Sequence, residues 1–125
     1  MELEEKKRVL IIDDEPDLID VLTPRLQDMG YEVEGQTDPV EGRRAAIKSR
    51  PDLIILDIRI PGWNGLELMQ SLTHLPNLQD VPILIYTASK DSEDEAIAKT
   101  QGAAGYFVKA VNDAGLISAV KQFLG

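Results

Sequence analysis

The chain contains no cysteine, so disulfide frameworks, thiolate metal centres and thiol nucleophiles are excluded, and any chemistry rests on oxygen and nitrogen groups. Its one histidine, His74, lies near Pro76 beyond a candidate helix, where a surface position suits it better than a role as ligand or phosphate carrier. Long hydrophobic runs are missing too. Uninterrupted aliphatic stretches reach about four residues, as in Val9-Leu10-Ile11-Ile12, against the roughly 20 that a membrane-spanning helix requires. The charged start, Met1 to Arg8, has no apolar stretch of secretory type. It points to a cytoplasmic protein with a solvated tail over residues 1–7. Basic charge is scarce: 13 Lys and Arg stand against 22 Asp and Glu, a net charge of −9. Long-range repulsion therefore disfavours direct binding to nucleic acid or to an anionic membrane, and favours cations and basic partners. Most of these acids need no explanation beyond solubility.

What is present suits one packed domain. With 43% apolar and 28% charged residues in 125, the chain is too apolar to be disordered and too short for a second core. The expectation is a single domain over 1–125 with no output domain appended. Four short, branched-aliphatic segments read as buried strands: Val9 to Ile12, Leu53 to Leu56, Ile83 to Tyr86 and Tyr106 to Val108. A fifth, Tyr31 to Glu34, alternates apolar and polar and suits a sheet edge. Between them, Leu18, Ile19, Leu22, Leu26 and Met29 recur at helical spacing, with Pro16 at the start and Gly30 at the stop. Val40 to Lys48, Gly65 to Leu72, Ser92 to Gln101 and Asp113 to Leu124 predict four more helices. Pro24 falls inside the first helix, where it removes a hydrogen bond at a cost of about 3 kcal/mol, so a kink or break is expected there. Strand–helix alternation with continuous apolar strands predicts a doubly wound parallel sheet, and five strands suit the flavodoxin-like order 2-1-3-4-5 with five helices.

In that order the ligand crevice opens at the C-terminal ends of strands one and three. Strand one runs into Asp13-Asp14-Glu15 and strand three into Asp57, so several carboxylates converge there. Two like charges about 4 Å apart cost roughly 4 kcal/mol at an effective dielectric near 20, so a cation or raised pKa values must relieve the cluster. A hard divalent ion does this, and magnesium favours one or two carboxylates plus a substrate phosphate. Strand four ends in Thr87-Ala88 and strand five in Lys109, adding a hydroxyl and an ammonium that suit a phosphoryl oxygen. An aspartate can form an acyl phosphate, with catalysis resting on positioning and charge neutralisation. Taken singly, the acids before Pro16 could be helix caps, Asp57 a turn residue, Thr87 a strand end and Lys109 a surface charge. Their joint placement at the ends of four strands favours the functional reading.

Together Asp13-Asp14, Asp57 followed by Pro61 and Gly65, Thr87-Ala88 and Lys109 resemble the receiver domain of two-component response regulators. The likeness covers nearly the whole chain and includes Val81-Pro82-Ile83, Gly102-Ala103, and Tyr106 three residues before the lysine. The resemblance implies that a histidine kinase or histidine phosphotransfer protein donates a phosphoryl group to Asp57. It also implies that Asp13, Asp14, Asp57 and the backbone carbonyl of Arg59 hold Mg2+, with Thr87 and Lys109 assisting the transfer. Thr87 and Tyr106 would form a switch that alters a face of helix four, strand five and helix five toward a separate downstream output protein. Such a domain is a signalling module, an enzyme only toward its own phosphorylation and dephosphorylation.

Two positions depart from the family pattern, and two more are variable in it. Receivers usually carry a cis proline after the lysine, and here Ala110 follows; a cis bond before alanine costs about 2.5–4 kcal/mol, which leaves a trans bond with a shifted Lys109 as the alternative. Ile60 stands where methionine is usual, a packing change. Arg59 and Ser89 occupy the positions that tune phosphoryl lifetime in the family. The competing reading is a degenerate receiver-like scaffold that acts without phosphorylation. A haloacid-dehalogenase type hydrolase needs a second Asp two residues after the nucleophile, where this chain has Arg59. A flavodoxin needs a Ser/Thr/Gly-rich phosphate loop after strand one, where this chain has Asp-Asp-Glu-Pro.

Overall fold

The computed structural model describes residues 5–125. Residues 1–4 of the expected tail lie outside the described residues, and residues 5–7 are exposed and irregular. Lys7 is tied to the fold through its carbonyl, which accepts from the Glu32 N–H at 2.9 Å.

Five strands, β1 (Arg8–Ile12), β2 (Glu32–Gln36), β3 (Leu53–Leu56), β4 (Ile83–Thr87) and β5 (Gly105–Val108), alternate with five α-helices. These are α1 (Pro16–Asp28), α2 (Pro39–Ser49), α3 (Gly65–Thr73), α4 (Ser92–Thr100) and α5 (Asp113–Leu124), with a 3-10 turn at Pro76–Leu78. All neighbouring strands are parallel, in the order β2-β1-β3-β4-β5. This is the flavodoxin-like arrangement that the strand–helix alternation predicts.

Strand alternation divides the core into two layers. Leu10, Ile12, Ile54, Leu56, Ile83 and Ile85 pack with Ala45 and Ala46 of α2, Leu68, Met69 and Leu72 of α3, and Ala98 of α4. Their immediate neighbours Val9, Ile11, Leu53, Ile55, Leu84 and Tyr86 pack on the other face with Leu22 and Leu26 of α1 and Leu116 and Val120 of α5. Since both faces of the sheet are covered, the central strands are apolar except at one end residue each of β1 and β4, Arg8 and Thr87, which is why they read as continuous runs. Ile60, in the place of the usual methionine, is buried in the first layer. Among the described residues no helix is long and apolar enough to cross a membrane.

Several element ends differ from expectation by one residue: β1 begins at Arg8, β4 ends at Thr87, α2 runs Pro39–Ser49, α3 ends at Thr73 and α4 at Thr100. Three further differences have a visible cause. The edge strand β2 begins one residue later and reaches Gln36, because Tyr31 turns into the core and donates its hydroxyl to the Gly125 carbonyl at 3.0 Å. β5 begins one residue earlier, at Gly105, whose backbone packs too close to Phe107 to admit a side chain: a Cβ would lie 2.8 Å from that ring. Third, α1 is not broken at Pro24 but runs unbroken past it to Asp28. Pro24 and Asp20 are both exposed, so the Asp20 carbonyl that Pro24 leaves without its helical donor can be solvated, which moderates the cost. Replacing this proline should therefore stabilise the protein: Pro24→Ala restores one helical hydrogen bond and is expected to raise the unfolding free energy by about 1–2 kcal/mol, measured by urea denaturation.

Candidate functional site

Three hydrogen bonds carry the sheet one residue past the formal strand ends. The Asp13 N–H donates to the Gln36 carbonyl at 3.1 Å, the Asp57 N–H to the Ile12 carbonyl at 3.0 Å, and the Lys109 N–H to the Thr87 carbonyl at 2.8 Å. Asp13, Asp57 and Lys109 are in phase with Ile11, Ile55 and Phe107, the strand residues that face α1 and α5. The parallel register thus delivers two acids and one base to the same side of the same sheet edge. After β3 the chain must turn sharply beneath α3, and a Cβ at Gly65 would lie 2.3 Å from the Ile58 Cα, so only glycine fits there. Asn64 caps α3 by accepting from the Leu66 and Glu67 N–H groups.

The charges are crowded and largely dry. Asp13 and Asp57 are 1% and 3% exposed, and carboxylate oxygens of Asp13, Asp14, Glu15 and Asp57 all lie within 4.8 Å of one another. The Lys109 ammonium sits among them, 2.8 Å from Asp13, 2.9 Å from Asp57 and 3.1 Å from Glu15. The second oxygen of each buried aspartate accepts a backbone N–H, from Glu15 to Asp13 at 2.9 Å and from Arg59 to Asp57 at 2.8 Å. Burial nonetheless dominates at Asp13 and pushes its carboxyl up to about 6, against the lowering effect of Lys109. The Lys109 ammonium is itself raised well above the ordinary lysine value: burial opposes its charge, but hydrogen bonds and Coulomb attraction from Asp13 and Asp57 outweigh it. The two directions express one arrangement, in which a single cation is shared by several carboxylates and leaves the cluster with net negative charge.

These donors fit a divalent oxygen-seeking ion. The set is all-carboxylate, partly buried and under-neutralised, and it holds no histidine or thiolate that would favour a softer metal.

Thr87 is fully buried at the end of β4, and its hydroxyl accepts the Ser89 N–H at 3.4 Å. Tyr106 is half-buried on β5 and donates its hydroxyl to the Ser89 carbonyl at 3.1 Å. Burial raises the Tyr106 phenol. His74 caps the end of α3 at the surface, its Nδ1 2.7 Å from the Gln70 carbonyl, and Trp63 is exposed in the loop after Asp57. The peptide bond after Lys109 is trans, as are all those described, and Ala110 takes a left-handed backbone with φ 64°. Of the two alternatives for this bond the trans one is found, and the Lys109 ammonium reaches both buried aspartates with it.

Two features of the rim are not legible in the sequence. Glu15, read from the sequence as one of the converging carboxylates, contributes a third carboxylate contact to Lys109, a pairing across 94 residues that the sequence does not show. Asp94 of α4 accepts from both the Arg59 guanidinium and the Ser89 hydroxyl, and the Ser89 hydroxyl, followed by Arg59, holds its carboxyl below the usual range. Asp94 sits in a run of acids at the start of a helix, a pattern that by itself says only that the helix dipole is complemented.

The model of the response regulator receiver domain matches residues 9–121. The chain is 31% identical over 117 residues to the protein PilH of Pseudomonas aeruginosa, covering 94% of this chain and 97% of that protein. It is 32% identical over 117 residues to the DNA-binding dual master transcriptional regulator RpaA of Synechocystis, covering 94% of this chain but 48% of that protein. The chain thus spans about half the length of the transcriptional regulators that it matches. Among solved structures, the chemotaxis protein CheY4 of Vibrio cholerae superposes with a TM-score of 0.87 at 32% identity, covering 96% of this chain and 100% of that one. A CheY-like receiver domain protein of Methanospirillum hungatei gives 0.88 at 28% identity, covering 96% and 94%. With its fold, its acidic sheet edge and its sequence in agreement over nearly the whole length, this chain belongs to the response regulator receiver domain family.

Proposed function

We propose that this chain, as one receiver domain over 1–125, is a phosphoacceptor in which Asp57 takes a phosphoryl group from the phosphohistidine of a histidine kinase or histidine phosphotransfer protein. The observation that carries this reading is the Lys109 ammonium, held at once by Asp57 and Asp13 at the end of the sheet. An ammonium there can follow a phosphoryl oxygen as charge develops on it. In the transfer an Asp57 carboxylate oxygen forms a bond to phosphorus as the phosphorus–nitrogen bond breaks, and the electron pair of that bond leaves on the donor imidazole. Asp57 is already oriented for this by the Arg59 N–H on one oxygen.

Asp13, Asp14, Asp57 and the Arg59 carbonyl would hold Mg2+, and Lys109, Thr87 and the ion would share the phosphoryl oxygens. When bound, the ion neutralises the charge that one ammonium leaves unbalanced. Thr87 and Tyr106 form the switch: both engage residue 89, so a movement of the threonine hydroxyl toward a phosphoryl group on Asp57 disturbs the segment that anchors the tyrosine. The face of α4, β5 and α5 then engages a separate output protein in the cytoplasm. With a net charge of −9, basic protein surfaces suit it as partners better than nucleic acid or membrane. The reading as an unphosphorylated scaffold drew on Ala110, and Lys109 keeps its contacts despite that residue.

Incubation with acetyl phosphate and Mg2+ is expected to add about 80 Da, the mass of one phosphoryl group, to the protein and not to Asp57→Asn. An unchanged mass for the parent protein under conditions where it is folded would sink the phosphoacceptor reading.

The Asp13 carboxyl supplies a second test. Its ordinary value of 3.8 is raised to about 6 in the fold, so the charged form costs stability above pH 6, and this cost fades as pH falls from about 6 toward 4. In metal-free buffer at pH 7.5, Asp13→Asn is therefore expected to be more stable than the parent by about 1–3 kcal/mol, with the advantage lost near pH 4. Adding 10 mM MgCl2 should raise the melting temperature of the parent and leave that of Asp13→Asn unmoved. Equal responses of the two proteins to magnesium would remove Asp13 from the metal site.

A further inference from the structure

Among the described residues, the non-glycine positions with positive φ are Arg50 and Ala110. Arg50 closes α2, where a left-handed residue is common. Ala110 is the third residue of a turn closed by the Val111 N–H on the Val108 carbonyl at 3.1 Å, where a left-handed residue is usually Gly or Asn; it has no polar side chain to support the conformation, yet it directly follows the lysine on which the site depends.

The contacts around it explain how it is held. The Ala110 N–H donates to Asp113 Oδ1 at 2.9 Å, and the same oxygen accepts the hydroxyl of Tyr86. Tyr86 is a buried residue of β4, and the Lys109 ammonium lies 6.0 Å from its ring centroid. On the other side of the lysine, the Val108 N–H donates to Asn112 Oδ1 at 3.2 Å. Both backbone neighbours of Lys109 are thus fastened to side chains at the start of α5. An acid placed merely to cap a helix accepts from N–H groups two or three residues ahead. Asp113 instead reaches back to residue 110 and across to the central sheet.

We propose that Asp113 is the positioning residue for Lys109: anchored by the Tyr86 hydroxyl, its carboxylate fixes Ala110 in the left-handed conformation and so aims the ammonium at Asp13 and Asp57 on an all-trans backbone. Without that bond the Ala110 backbone relaxes to negative φ and carries Lys109 away from the aspartates. The inference rests on the phosphoacceptor reading only where phosphoryl uptake is the readout.

The test uses two readouts on the whole chain. One is the rate of phosphoryl uptake from acetyl phosphate with Mg2+; the other is acetylation of Lys109 by an amine-reactive ester, followed by peptide mass spectrometry, which needs no phosphoryl chemistry. Asp113→Ala is expected to slow uptake about tenfold and to raise Lys109 acetylation by a similar factor, as the ammonium leaves its carboxylates. Asp113→Asn, which keeps the acceptor oxygen, should restore most of both. Adding Ala110→Gly to Asp113→Ala should also recover them in part, because glycine adopts positive φ without cost; a defect in α5 alone would not respond to glycine at 110. Lys109 acetylation equal in Asp113→Ala and the parent, or no recovery in the double variant, overturns the proposal. If Asp113→Ala does not fold, Tyr86→Phe replaces it, and unchanged Lys109 acetylation there overturns the proposal as well. A parent protein that takes up no phosphoryl group defeats the phosphoacceptor reading instead, while the acetylation comparison still decides the role of Asp113.

Discussion

One ammonium surrounded by carboxylates organises the functional end of this molecule. Lys109 lies within 3.1 Å of Asp13, Glu15 and Asp57, two of them nearly without access to water. Buried carboxylates are tolerated only when paired and hydrogen-bonded, and here each buried one has the ammonium on one oxygen and a backbone N–H on the other. The pairing is incomplete: three carboxylates share one cation and a fourth, Asp14, lies in the same cluster. Burial therefore still wins at Asp13, whose carboxyl is raised, and the cluster keeps a net negative charge that a cation could offset.

The remainder of the fold serves to keep those groups in place. Apolar side chains on both faces of the sheet make its central strands rigid, and the ladder of hydrogen bonds past the strand ends extends that rigidity to Asp13, Asp57 and Lys109. The more adaptable parts lie one step outward. Arg59 touches Asp57 through its N–H and Asp94 through its guanidinium, Asp94 holds the Ser89 hydroxyl, and the Ser89 carbonyl holds Tyr106. A continuous set of polar contacts thus joins Asp57 to the start of α4 and to β5. Such a path is a means of coupling when one of its members has two stable arrangements, and the exposed Arg59 side chain and the half-buried Tyr106 are the members with room to move.

How the lysine reaches the site shows that one geometry can be met by different local means. The family pattern uses a proline after the lysine. This chain has Ala110 in a left-handed conformation, bound through its N–H to an acid at the start of α5 that is itself bound to a tyrosine of the central sheet. The replacement moves the constraint from a single ring to a three-residue set drawn from β4, the β5–α5 loop and α5.

Much of this was written in the sequence. The apolar runs from Val9, Leu53 and Ile83 could only be strands covered on both faces, and the helical spacing between them left a parallel sheet as the consistent fold. Asp13, Asp57 and Lys109 fall just past the ends of those strands in one phase, so their meeting follows from strand order and period-two alternation, whereas Thr87 is in phase with Ile83 and Ile85 on the other face. The edges were less legible: where β2 starts depended on whether Tyr31 found a core partner, which it does at the far end of the chain, at Gly125. Tertiary structure alone decided the path of the backbone after Lys109, the contact of Glu15 with that lysine, and the bridge of Asp94 between Arg59 and Ser89. Each joins residues far apart in the chain or sets a single backbone torsion. Local propensity carries no information about such pairings, because their energies appear only once the packed core has brought the partners within hydrogen-bond reach.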